Sequence, residues 1–182
     1  QWGQYNTTSY TLTVYPPNLT YTMSPTSGTV YLGQYTISTL TINEYNPGNI
    51  TDIIQLNCSS PSGITCTMNQ TSCVFTSTGT CVVSINISTS SSTSPGTYTI
   101  NVTGQDNYGS KLFEQYTLTV YPPYISSISA NPSSGIAYIN TTNTSTISVS
   151  VYNPGDVTND ISFSCTSSSP NNVSCYLSPS YC

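Results

Sequence analysis

The sequence predicts an all-β protein: two β-sandwich domains preceded by a single N-terminal strand. Three observations predict it. Segments with a period of two, rich in Thr, Val, Ile and Tyr, recur between turns made by Pro, Gly and Asn. No segment has helical spacing. The stretch Tyr10-Thr-Leu-Thr-Val-Tyr-Pro-Pro17 returns unchanged as Tyr116-Thr-Leu-Thr-Val-Tyr-Pro-Pro123.

The repeated stretch is the first element. Leu12 and Val14 alternate with Thr11 and Thr13, as Leu118 and Val120 do with Thr117 and Thr119. That is the pattern of a half-buried strand between Tyr10 and Tyr15. Pro-Pro ends it, because proline has no N–H to give to a ladder. The second copy closes about a hundred residues of β-patterned chain, whereas the first has only nine residues ahead of it. The first copy therefore reads as a last strand without a domain, expected to complete a domain of another chain. The plain alternative is an extra edge strand on its own domain.

Aligning the two copies exposes a repeat of about 107 residues. Ser24-Pro-Thr-Ser-Gly28 answers Asn131-Pro-Ser-Ser-Gly135, Tyr31 answers Tyr138, and Tyr45-Asn-Pro-Gly48 answers Tyr152-Asn-Pro-Gly155. Cys58, Cys66 and Cys73 answer Cys165, Cys175 and Cys182. The expected organisation is a donor strand over 1–17, a whole sandwich over 18–123 and a second, incomplete sandwich over 124–182.

In the whole domain, Val30 and Leu32 begin the core, and Ile37, Leu40 and Ile42 lead to the Asn46-Pro-Gly turn, where Pro fixes φ and Gly permits φ > 0. Ile53, Ile54 and Leu56 lead to Cys58, and Val82, Val83, Ile85 and Ile87 follow. Pro95-Gly96 turns into Tyr98, Ile100 and Val102, and Leu112 and Phe113 open the final strand. About seven short strands at this spacing define a sandwich. The second domain offers Ile125 and Ile128, then Ile147, Val149 and Val151, then Ile161 and Phe163. Counterparts of Val82 through Val102 do not follow before Cys182, so its edge and core are expected to be open. A strand donated head to tail does not close a ring, and such donation builds an open filament.

Composition narrows the function. Only 4% of the residues are charged, with one Lys, no Arg and no His, and the net charge is −5. This excludes nucleic-acid binding, which needs clustered cations, and offers no basic patch to anionic lipid. Without His, the Ser-His and Cys-His arrangements of nucleophilic catalysis cannot form, and no other catalytic constellation is present, so an enzyme is not expected. Six acids and no His leave little to titrate in acid, so stability is expected to stay flat down to about pH 2.

The cysteines at 58, 66, 73, 81, 165, 175 and 182 lack CxxC spacing, and there is no His to join them on a metal. Disulfides in an oxidising, extracellular setting are the better reading. The local pairings are Cys58–Cys66 and Cys73–Cys81, with Cys165–Cys175 following by the repeat, although connectivity is not fixed by sequence. Cys182 is then left over, as an intermolecular thiol or a sign that the chain continues. No stretch reaches the roughly 20 apolar residues of a membrane span. No signal peptide is visible, so the chain is expected to start after one was removed. Nor is there an apolar N-terminal helix of the kind type IV pilins assemble through.

Sequons for N-glycosylation begin at Asn6, Asn18, Asn49, Asn57, Asn69, Asn86, Asn101, Asn140, Asn143 and Asn172. Glycans there would supply the hydration that charge does not. Asn57, beside a half-cystine, is expected to be buried and the least used. No metal or cofactor is expected besides N-linked glycan. Asp156 and Asp160 lack a third ligand for calcium, and Asp52, Asp106 and Asp156 read as turn formers. Lys111 could in principle join an Asn or Asp side chain, aided by Glu44, Glu114, Asp52 or Asp106, but reads as a solvated charge beside Glu114. The sixteen tyrosines read as strand faces and subunit packing rather than a sugar-binding platform.

Together, the repeated strand, the dense sequons and the paired cysteines resemble the thread subunit of Sulfolobus-type archaea. The Asn-Pro-Gly turns after Thr/Ser-rich strands (Tyr45–Gly48, Tyr152–Gly155) are also similar to immunoglobulin-like repeats of archaeal surface-layer proteins. The resemblance implies immunoglobulin-like sandwiches, heavy glycosylation, an extracellular location and a head-to-tail homopolymer linked by donor strands, serving adhesion or biofilm. Two alternatives stand beside it. One is a module of a longer surface-layer or stalk protein. The other is a carbohydrate-binding adhesin using exposed Tyr and Trp2.

Overall fold

Inward-facing Leu, Ile and Val on alternate positions of Thr-rich strands dictate the architecture, since every strand must bury one face. A computed structural model describes residues 3, 6–167 and 173–182. Eleven strands are formed among them, and no helix. Nine make the first unit: β1 Asn18–Ser24, β2 Ser27–Tyr31, β3 Tyr35–Tyr45, β4 Asp52–Ser59, β5 Ile64–Met68, β6 Ser72–Phe75, β7 Gly79–Thr89, β8 Gly96–Gln105 and β9 Lys111–Tyr121. Two sheets, ordered β1-β3-β7-β5 and β2-β9-β8-β4-β6, face each other. All their pairings are antiparallel except that of β2 with β9. This is the immunoglobulin-like sandwich expected.

The core is the alternation carried through. Leu40 and Ile42 of β3 and Val83, Ile85 and Ile87 of β7 meet Ile54 of β4, Ile100 and Val102 of β8, and Tyr116, Leu118 and Val120 of β9. At roughly 1.5–3 kcal/mol for each large side chain buried, this layer dominates the unit's stability. Strands β1, β5 and β6 go beyond the clearest runs of the pattern. The core begins with β1 rather than at Val30, since Leu19, Tyr21 and Met23 turn inward. The two short strands anchor on few buried side chains: Ile64 in β5, Cys73 and Phe75 in β6.

The second unit contains β10 Tyr124–Asn131 and β11 Thr146–Tyr152, an antiparallel pair. Beyond them, residues 161–163 and 180–182 run antiparallel through Ile161 N–H to Cys182 O (2.8 Å) and Phe163 N–H to Ser180 O (2.9 Å). The repeat is accurate in local detail. Ser38 Oγ donates to Pro25 O at 2.6 Å, and Ser145 Oγ to Pro132 O at 2.6 Å. Asn46 Nδ2 donates to Ile50 O at 2.6 Å, and Asn153 Nδ2 to Val157 O at 2.6 Å. Ser24-Pro25 and Asn131-Pro132 are both cis. Asn49 and Asp156 share a positive φ, 51° and 52°, at the end of the two turns. Thus β10 and β11 reproduce β1 and the second half of β3.

Candidate functional site

The site is built from the two identical strand sequences and from β2, which pairs with the second of them. In β9 the sequence lies inside the sandwich, with Tyr116 and Leu118 0% exposed and Val120 2%. In the first copy, Tyr10, Leu12, Val14 and Tyr15 are 86%, 70%, 80% and 83% exposed. Residues 6–16 belong to no strand and are exposed throughout, so the copy does not lie on its own sandwich as an extra edge; only Pro17 is buried. Sequence is constant between the two, so the difference lies in what surrounds them.

What surrounds β9 is β8 on one side and β2 on the other. β2 is an edge strand held in its sheet through β9 alone, in parallel register from Ser27 opposite Thr117 to Tyr31 opposite Tyr121. Its counterpart by the repeat, Ser134–Tyr138, is not a strand and is exposed. Ile136, Tyr138 and Ile139 rank among the most exposed apolar side chains described, together with Tyr176 and the Tyr10–Tyr15 stretch. Among the described residues, no strand pairs with Ser134–Tyr138. An unpaired backbone edge beside apolar side chains is a template for another strand.

The two units meet at a tyrosine cluster. The Tyr31 ring stands 5.9 Å from Tyr121, 6.4 Å from Tyr124 and 5.1 Å, edge to face, from Tyr152. Tyr124 and Tyr152 are 5.4 Å apart. Burial raises the Tyr31 hydroxyl above its ordinary 10.0, and Tyr124, Tyr152 and Tyr121 add to the effect. Val157 is buried, and Gly33, at φ 80°, has no room for a side chain because Gly155 O lies 2.6 Å from where a Cβ would stand.

Three disulfides are formed: Cys58–Cys66, Cys73–Cys81 and Cys165–Cys175, with Cα separations of 6.0, 6.1 and 5.8 Å. The first joins β4 to β5 and the second β6 to β7, so each ties one sheet to the other. Cys182 is free and exposed. Three disulfides place the chain in an oxidising, extracellular setting.

Among the sequons, Asn6, Asn18, Asn49, Asn69, Asn86, Asn140 and Asn143 are exposed and Asn101 is half-buried. Asn57 is exposed as well, against the expectation of burial: it alternates with buried Leu56 and so points out of β4. Asn172 and Trp2 lie outside the described residues.

The acids hold the one site feature the pattern reading passed over. Glu44 is buried on β3, in phase with Ser38, Leu40 and Ile42, and neither carboxyl oxygen has a partner. Asp52 and Asp106 are buried too, each with one unpartnered oxygen. Asp106 is the turn former expected, its Oδ1 accepting from Tyr108 N–H (2.9 Å) and Ser110 N–H (2.7 Å). Asp52 sits instead at the start of β4, accepting from Asn107 N–H at 3.2 Å. Burial raises the Glu44 carboxyl above its ordinary 4.5, and the neighbouring Asp52 and Asp106 raise it further, while the nearby Asn46 side chain pulls it down. The inward phase of Glu44 was the signal in the sequence. Among the described residues no group of three or more His, Cys, Asp or Glu is arranged to hold a metal ion. No helix of the structure is long and apolar enough to cross a membrane.

No protein-family model matches this chain, and no curated protein sequence does. Solved structures match parts of it at low identity and at TM-scores below 0.5. A family 123 glycoside hydrolase from Clostridium perfringens matches at 12% identity and a TM-score of 0.49, over 58% of this chain and 28% of that one. Domains 4 and 5 of the S-layer protein SbsC match at 16% identity and 0.40, over 58% of this chain and 53% of theirs. The periplasmic chaperone SfaE matches at 12% and 0.38, over 56% of each chain. The present chain therefore spans between about a quarter and just over half of those chains.

Proposed function

We propose that this chain is a structural subunit of an extracellular, glycosylated filament. Identical subunits join head to tail, the Tyr10–Tyr15 strand of one completing the second unit of the next. Adhesion or biofilm formation is the service such a thread would give, and no catalysis, metal or cofactor is needed for it.

One observation carries the reading: a sequence that is core in β9 is bare in its first copy, in a molecule that also has a bare counterpart of β2. Burying Tyr10, Leu12 and Val14 as Tyr116, Leu118 and Val120 are buried in β9 would stabilise each junction by several kcal/mol, at roughly 1.5–3 kcal/mol per large side chain. The exposed sequons fit the reading too, because glycan would keep a nearly uncharged surface hydrated.

The exposed second unit also favours a second reading, a module of a longer surface-layer or stalk protein in which a later stretch of the same chain fills the gap. Electron microscopy separates the two. Material from cells expressing the intact chain should contain filaments, and a variant without residues 1–16 (keeping the buried Pro17) should yield monomers. Filaments that persist without the segment would refute donor-strand polymerisation and favour the longer protein.

A further inference from the structure

We propose that the acceptor for the Tyr10–Tyr15 strand is the Ser134–Tyr138 segment of a second copy. The two pair in parallel, and the acceptor is keyed by a notch at Gly135 that Asn143 occupies until Tyr10 displaces it. The inference rests on the donor-strand reading and specifies its partner surface.

The register comes from the molecule itself. β2 and β9 pair Ser27 with Thr117, Gly28 with Leu118, Thr29 with Thr119, Val30 with Val120 and Tyr31 with Tyr121. The repeat carries β2 onto Ser134–Tyr138 and β9 onto Thr11–Tyr15. The transferred pairs are Ser134 with Thr11, Gly135 with Leu12, Ile136 with Thr13, Ala137 with Val14 and Tyr138 with Tyr15. Val30 and Val120 both face the core, so Ala137 and Val14 would both face inward.

The notch is visible in both units. Above Gly28, the place a Cβ would take is filled by the hydroxyl of Tyr116, and Thr36 Oγ1 shares a 3.3 Å hydrogen bond with that hydroxyl. Gly28 is needed there for space, since any side chain would collide with the tyrosine. Above Gly135 the same place is filled by the amide of Asn143, which stands where Thr36 does in the first unit. Two exposed bonds hold the Asn143 side chain there: Nδ2 donates to Ile136 O at 3.3 Å, and Oδ1 accepts from Thr144 N–H at 2.9 Å. The place that a tyrosine hydroxyl takes above Gly28 is thus held above Gly135 by a side-chain amide, and no tyrosine among the described residues fills it. Tyr10 is the residue that the identity of the two strand copies aligns with Tyr116.

Cysteine pairs test the register, in full-length chain carrying Cys182→Ser. Val14→Cys with Ala137→Cys should give a ladder of disulfide-linked oligomers without reductant. Val14→Cys with Ile139→Cys, shifted by two residues, should not. Gly135→Val should lower polymer yield roughly tenfold, as overpacking does, with the melting of the first unit unchanged. Asn143→Thr, which restores the Thr36 arrangement, should polymerise at least as fast as the native chain. A ladder in the shifted pair only, native polymerisation by Gly135→Val, or slowed polymerisation by Asn143→Thr would overturn the proposal. Those results, with polymerisation still dependent on residues 1–16, would leave the donor-strand reading standing. Polymer without residues 1–16 would remove both.

Discussion

At the scale of the residue, Glu44 is the most consequential single side chain. It puts a carboxyl with no hydrogen-bonded oxygen into the core beside Asp52 and Asp106. Its folded-state value is raised above the ordinary 4.5, so its protonated form favours folding. That stability is fully present below the unfolded value and is lost as pH rises through the folded one. Acid should therefore strengthen the first unit rather than leave it flat. Calorimetry should find a higher Tm near pH 3 than at pH 7, and Glu44→Gln should raise Tm at pH 7 while changing little at pH 3. A native Tm that falls between neutral pH and pH 3 would contradict this. Asn143 gives a second prediction at this scale. If its side chain leaves the notch to admit Tyr10, a glycan there would crowd the incoming strand, so glycopeptide mass spectrometry of assembled material should find Asn143 less occupied than Asn69 or Asn86. Both residues show what a period of two can reveal. It puts Glu44 inward, but it does not say whether a partner waits there.

The elements were legible in proportion to their length and alternation. β3, β7, β8 and β9, with ten or eleven residues each, carry several inward apolar positions and stand out in the sequence. β5 and β6, with five and four, do not, because one or two buried residues make no period. β1 does alternate, but of its inward side chains Leu19 and Tyr21 are only half-buried and Met23 alone is buried, and none is β-branched. The disulfides explain how such short strands are held. Each closes only eight residues of sequence while tying the two sheets together. Replacing Cys58 and Cys66 by Ser should cost about 2–3 kcal/mol, which is roughly 10–20 °C in Tm for a unit of this size. Differential scanning calorimetry with and without reductant would check it. The Tyr10–Tyr15 element is the opposite case. Its strand character is complete in the sequence, and it is no strand in the isolated molecule because nothing there pairs with it.

At the scale of the whole molecule, the junction between the two units is a template for a junction between molecules. Tyr31 is clustered with Tyr121, Tyr124 and Tyr152, and three of these four have exposed counterparts in Tyr138, Tyr15 and Tyr45. If the intermolecular junction copies the internal one, Tyr138→Ala should weaken it by about 0.5–1.5 kcal/mol for each aromatic pair removed, seen as a higher critical concentration for polymerisation. The copy is not perfect. Gly33 becomes Asn140, which brings a side chain where the internal junction admits none, so the outer junction must be looser at that point. The 107-residue repeat was readable in the sequence, but the tyrosine cluster was not, since it depends on how the chain folds back. In this assembly the first strand copy fits the unpaired Ser134–Tyr138 segment of the second unit. Amide hydrogen exchange of the chain lacking residues 1–16, with and without a synthetic Tyr10–Pro17 peptide, measures that fit directly. The peptide should slow exchange at Ser134–Tyr138 and leave β2 unchanged. Exchange at Ser134–Tyr138 that ignores saturating peptide would contradict it.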